Sequence, residues 1–209
     1  AAPELERGGG RVRLTYLDMK GYGEPIRLAL FIGGVDFEDV RVSATQVAEL
    51  RASGELPFGQ VPVLEVDGQA WGQSQALLRW AGRRAGLYPE ALQLQCDAVE
   101  EALVDVRGLL RPLWYGHVLR APGVKCVPLT EPQQAEAAQA INETLLPQRF
   151  ADLERALARS GGPYFCGERM TICDLSFYVL AGGILDGSYA EGVSPAVLDG
   201  CPGLLGLLE

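Results

Sequence analysis

The sequence predicts an α/β domain followed by an all-α domain, and three observations carry that prediction. Short β-branched runs alternate with helical apolar spacing only as far as Gly86-Leu87-Tyr88-Pro89, and beyond that breaker the strong apolar patterns have the helical period. Val61 to Val66 is closed by Asp67-Gly68, a two-residue hairpin signal, with Gln69 to Trp71 able to return as the partner strand. Directly afterwards, Gln73-Ser74 stands where a helical pattern opens at Ala76, Leu77 and Trp80.

Taken in order, residues 1–10 are small and charged, end in three glycines and read as a flexible leader without an apolar signal-peptide core. Arg11 to Leu17 alternates as a strand with Val12, Leu14 and Tyr16 on one face, so Tyr16 falls at its end. Gly21 to Gly23 forms a loop, Pro25 suits a first helical turn, and Ile26 to Ile32 is helical until Gly33-Gly34. Phe37 to Val42 is a second strand, Gln46 to Ala52 a short helix, and the hairpin leads to a helix from Ser74 to about Ala85. The order βαβαββα, a parallel βαβ unit and then an antiparallel pair with a covering helix, is thioredoxin-like over residues 11–86. Pro62 cannot donate to a ladder, so it fits an edge, a bulge or a cis turn and leaves the Val61 backbone to pair with a peptide ligand. The Ser74 hydroxyl and the first helix amides would face an anion, which implies a peptide-like ligand bearing a carboxylate.

Residues 90–209 read as a helical bundle. Ala91 to Trp114 carries Leu94, Val99, Leu103, Val106 and Leu110 at helical spacing, with Asp97, Glu100, Glu101 and Asp105 among them. Ala121 to Pro128 is a loop. Thr130-Glu131-Pro132-Gln133 starts a long helix to Ala158, kinked at Pro147 because proline removes a backbone donor and crowds the preceding turn. Thr171-Ile172-Cys173-Asp174 outlines a capping box that should nucleate a buried helix over Leu175 to Leu185.

The formal net charge of -9 disfavours nucleic acid or an anionic membrane as the main partner. No apolar stretch approaches the roughly 20 residues of a membrane span. Cys96, Cys126, Cys166, Cys173 and Cys201 form no CxxC pair, which fits a reducing compartment. The single histidine, His117, excludes a His-rich metal site and reads as a surface or capping residue.

The strand "VPVL", the "DG" hairpin and the helix-opening "QS" resemble the glutathione-binding half of the glutathione S-transferases. Thr15-Tyr16-Leu17 followed by Gly21-Tyr22-Gly23-Glu24-Pro25-Ile26-Arg27 is similar to the tyrosine-type classes, nearest the sigma and mu branch, and Phe165-Cys166-Gly167 with Thr171 to Leu175 resembles the capping motif of their helical domain. The resemblance implies glutathione as co-substrate, no metal, a cytoplasmic homodimer active in detoxification, and Tyr16 as the catalytic tyrosine. It assigns glutathione contacts to Tyr22, Arg51, Gln60, Val61, Pro62, Gln73 and Ser74, with Asp97 supplied by the neighbouring subunit, and a second-substrate pocket to Leu17 and Met19. It also makes the chain look shortened by a final helix.

Two departures stand out. Tyr22 occupies a position where the family loop commonly has arginine, and Glu49-Leu50-Arg51-Ala52-Ser53 replaces a segment that usually supplies a Trp and a Lys; Arg51 is the replacement cation. Two readings stay open. One is a transferase that activates the glutathione thiol for attack on an apolar electrophile, or for isomerisation or peroxide reduction; the other is a binding or structural protein on the same fold. A thiol-disulfide enzyme would need a cysteine near the first helix, and none precedes Cys96.

Overall fold

The structure is a computed structural model that describes residues 11–115, 128–188 and 192–209. The leader, His117, Cys126 and the loop expected over Ala121 to Pro128, save its last residue, lie outside them. Two compact units divide the chain between Tyr88 and Pro89.

The first unit is thioredoxin-like: β1 (Val12–Leu17), α1 (Glu24–Ile32), β2 (Phe37–Val42), α2 (Ala44–Ala52), β3 (Val63–Val66), β4 (Gln69–Trp71) and α3 (Ser74–Ala85). The sheet order is β2-β1-β3-β4. β1 runs parallel to β2, pairing Tyr16 with Arg41, and antiparallel to β3, pairing Thr15 with Val63. Alternation sends Val12, Leu14 and Tyr16 into the core. The other side is covered through α2, where Val42, Val47, Leu56 and Val63 form a cluster joined by Leu17, Val40 and Leu50.

Local chemistry explains the element ends. Asp67 and Gly68 both take positive φ, 52° and 80°, as a tight hairpin turn requires. Pro25 sits in the first turn of α1, where its missing N–H leaves no intrahelical bond unmade. Helix α2 begins two residues earlier than its apolar pattern indicates, because Ser43 and Gln46 form a reciprocal capping box. The expected strand Val61 to Val66 shortens to Val63–Val66, since the Val61–Pro62 bond is cis and both residues lie outside the ladder.

The second unit is helical: α4 (Gln93–Leu109), α5 (Arg111–Tyr115), α6 (Glu131–Ala140), α7 (Leu146–Ser160), α8 (Ile172–Leu185) and α9 (Pro202–Gly206). The buried face of α4 is Cys96, Val99, Glu100, Leu103, Val106 and Arg107. Leu94 is not part of it; at 86% exposure it points to solvent. The long helix expected from Thr130 to Ala158 is interrupted. A π-helical segment, Ile141–Leu145, separates α6 from α7, and Pro147 follows it in the first turn of α7. A proline ring crowds the carbonyl four residues back, and widening the turn relieves that crowding.

The capping box of α8 is formed in full. Asp174 accepts from the Thr171 amide at 2.7 Å and its hydroxyl at 2.9 Å, and reaches back to the Phe165 amide at 2.9 Å. The carboxylate thereby fastens the Tyr164–Gly167 turn to the helix start. Beneath it, Phe165 and Phe177 meet edge to face at 5.6 Å.

Candidate functional site

At the end of β1, the Tyr16 ring is held on three sides. It is 5% exposed and its hydroxyl accepts from the Tyr22 amide at 3.0 Å. A side chain at Gly21 would come within 2.5 Å of that hydroxyl, and one at Gly23 would collide with the ring. The two glycines of the loop are therefore required by contact with this tyrosine. Because the amide N–H uses a lone pair of the phenolic oxygen, the O–H bond itself keeps its donor role.

Arg27, on α1, is a residue the sequence reading passed over. It is 6% exposed, with its guanidinium 5.8 Å from the Tyr16 ring centroid. Its nitrogens donate to Asp39 at 2.9 Å, to Glu24 at 3.0 Å and to the carbonyls of Met19 and Leu17 at 3.0 and 3.5 Å. One side chain thus ties α1, β2 and the loop after β1 together around the tyrosine. The available signal was a single cation within the otherwise apolar run Pro25 to Ile32.

A second grouping lies between α2 and α3. Arg51 Nε donates to the Gly59 carbonyl at 2.6 Å, which ties the end of α2 to the segment that leads into Gln60 and Val61. One residue back, the Phe58 ring lies against Gly72, where a side chain would approach to 2.9 Å. The loop before β3 and the turn before α3 are therefore neighbours. Gln73 caps α3 with φ 74° and ψ 101°, an arrangement strained for any residue but glycine, and its side chain bonds none of the first helix amides. Such strain persists only where the surroundings enforce it, and it concentrates at ligand sites. Ser74 opens the helix, half-buried, among amides that favour an anion.

The remaining expected residues lie elsewhere. Met19 is 48% exposed, whereas Leu17 is half-buried and packs on the α2-side cluster. The reason is strand phase: Leu17 is one residue from Tyr16 and faces the opposite way. Asp97 is on α4 in the second unit, half-buried. Among the described residues, the donor set suited to a metal is Cys96, Cys166 and Cys173, also in the second unit.

The fold and this site define a two-part class, a thioredoxin-like domain carrying a tyrosine at the end of its first strand, followed by an all-helical domain. Family models agree: residues 12–83 match "Glutathione S-transferase, N-terminal domain" and residues 119–209 match "Glutathione S-transferase, C-terminal domain". Glutathione S-transferase 1 of Ascaris suum is 33% identical over 168 residues, 78% of this chain and 75% of that protein. The monomeric glutathione S-transferase Na-GST-3 of Necator americanus superposes with a TM-score of 0.75 at 26% identity, covering 95% of this chain and 89% of that one. Prostaglandin synthase D of Nilaparvata lugens shares the fold with a TM-score of 0.77 at 24% identity, over 95% and 90% of the two chains. The chain belongs to the glutathione S-transferase family and is an enzyme of that family.

Proposed function

We propose that this protein activates the glutathione thiol with the Tyr16 hydroxyl and adds the resulting thiolate to an apolar electrophile, as a sigma-like member of its family. The observation that carries this reading is the amide of Tyr22, 3.0 Å from the Tyr16 oxygen, in a buried ring environment closed by Gly21 and Gly23. A donor of fixed direction aimed at sulfur favours the charged form of a thiol whose ordinary pKa is about 8.5. The amide polarises the phenol further in that sense.

The rest of the assignment extends the same reading. Val61, outside the ladder beside the cis bond, offers its backbone to the cysteinyl portion, with Pro62 setting the turn. Gln73 and Ser74, with Gln60 adjacent, receive the γ-glutamyl end at the start of α3. Arg51, directed by Gly59, supplies the cation for the glycyl carboxylate, and Tyr22 contributes a neutral donor. Asp97 reaches the γ-glutamyl amine from a second copy in a homodimer, for which Phe58, 64% exposed, offers an apolar contact. Met19 borders the electrophile. Isomerisation and peroxide reduction use the same thiolate, and the cytoplasm, where thiols stay reduced, is the compartment that suits it.

The test is the ultraviolet difference absorbance of bound glutathione thiolate against pH, for the wild type and Tyr16→Phe. A depressed thiolate pKa that reverts in the variant, with kcat/KM lower by about 10- to 100-fold, supports the proposal, since a hydrogen bond to a charged group contributes about 1.5–3 kcal/mol. Absence of glutathione binding at millimolar concentration would leave a binding or structural role on this fold.

A further inference from the structure

Cys96 on α4, Cys166 on the Tyr164–Gly167 turn and Cys173 in the first turn of α8 come together although Cys96 is 70 residues from Cys166. Their sulfurs all lie within 4.8 Å of one another, with Cys96 to Cys166 at 3.4 Å and Cys166 to Cys173 at 3.8 Å. Four cysteines are described and all are free thiols, so three of the four meet at one point from three separate chain segments. Small buried thiols filling a core have no reason to seek each other; alanine or valine would fill the same volume.

We infer that this triad is a binding site for a monovalent, thiophilic d10 cation, Cu(I), held by three thiolates in the helical domain. Three sulfurs each about 2.3 Å from a central ion stand about 4.0 Å apart in a trigonal plane; the Cys96–Cys166 and Cys166–Cys173 separations of 3.4 and 3.8 Å lie just inside that spacing and the third is no more than 4.8 Å. Soft thiolate sets select Cu(I), zinc or iron-sulfur clusters. Structural zinc takes four ligands, and the described donors in reach number three. The Asp174 carboxylate, next along the chain, is occupied as the acceptor from Thr171 and Phe165.

Cys173 lies at the positive end of α8, where the helix dipole favours an anionic sulfur. Cys166 is the member with access to solvent, at 6% exposure against 0% for the other two, so the ion would enter past the turn. Loading is a proton exchange without redox: each thiol that joins the metal releases its proton to solvent, and Cu(I) stays Cu(I).

The experiment is an anaerobic titration of the full, reduced chain, without glutathione, using Cu(I) delivered from a chromophoric chelator of known affinity. The expected result is one Cu(I) withdrawn per chain, a raised unfolding midpoint, and X-ray absorption showing three sulfur neighbours at about 2.3 Å. Cys166→Ser, a change at the most accessible member, should lose that binding, while Cys126→Ser with Cys201→Ser should keep it. No withdrawal of copper by the reduced wild type, a coordination shell of two sulfurs or of nitrogen, or preferential uptake of zinc would each overturn the assignment. So would undiminished binding by a chain lacking all three cysteines, and the X-ray absorption measurement on the wild type stands even if that variant fails to fold.

Discussion

Arg27 Nε and the Asp39 carboxylate meet at 2.9 Å, joining the first helix to the second strand directly beside the tyrosine. The pair is buried on the arginine side and about one quarter exposed on the aspartate side, so it lies between a surface bridge and a core ion pair. Removing one partner of a fully buried pair costs about 3–5 kcal/mol. With Asp39 and Glu24 both reachable by water, Arg27→Met should destabilise the protein by about 2 kcal/mol, read as a lower urea midpoint at unchanged m-value. Because the same guanidinium holds the Met19 and Leu17 carbonyls, kcat/KM should fall more than stability alone explains.

Gly23→Ala should strike the Tyr16 ring itself. The new methyl has no vacant space, so either the ring rotates or the α1 entry shifts, at a cost of about 1–3 kcal/mol. The expected signature is a thiolate pKa for bound glutathione that rises toward its free value while a folded, cooperative protein is still measured by circular dichroism. An unchanged pKa would show that the ring position has no part in activating the thiol.

Gln73→Gly separates strain from binding. Glycine adopts φ 74° without penalty, and backbone strain of this kind costs about 1–3 kcal/mol. Thermal unfolding should therefore shift upward by a few degrees, while the KM for glutathione rises because the side chain is lost. A variant that is both less stable and weaker in binding would contradict the strain assignment.

Asp174 gives a pH dependence of uncommon sign. Burial pushes its carboxyl above the ordinary value, and hydrogen bonds from the Phe165 and Thr171 amides only partly oppose that. A raised folded-state pKa means its stabilising contribution is full below the unfolded value of about 3.9 and is lost as pH rises through the folded value. The stability of the wild type minus that of Asp174→Asn should thus shrink from about pH 4 upward, measured by urea unfolding. A difference that grows with pH would refute this.

Features built from neighbouring residues were legible in the sequence, and those built from distant ones were not. The Asp67-Gly68 hairpin and the Thr171 to Asp174 capping box are decided within four residues, and the element order βαβαββα follows from such local signals. Arg27 takes its meaning from Asp39, 12 residues on, and from two carbonyls, none visible as a motif. The cysteine triad is less accessible still, because spacing along the chain suggests nothing about Cys96 and Cys166. Leu94 falls off the buried face that its spacing suggested. Periodicity tells which residues share a face, and the edge of a helical stripe is where that assignment is weakest. For the glutathione contacts, Arg51 is the instructive residue: its type was readable, but its direction toward Gly59 depends on a turn eight residues away.

The π segment ahead of α7 sets the angular phase of everything that follows it. A regular α-helix turns about 100° per residue, so one residue removed or added in Ile141–Leu145 would rotate the next helix by that amount. Leu146, Phe150, Leu153 and Leu157 would then leave the interior together, and Asn142, which grips the Gly192 carbonyl and the Ser194 amide, would swing off its partners. The widened turn absorbs one extra residue into the helix without letting the mismatch propagate, so chain length at this point is as tightly specified as any side chain in the core.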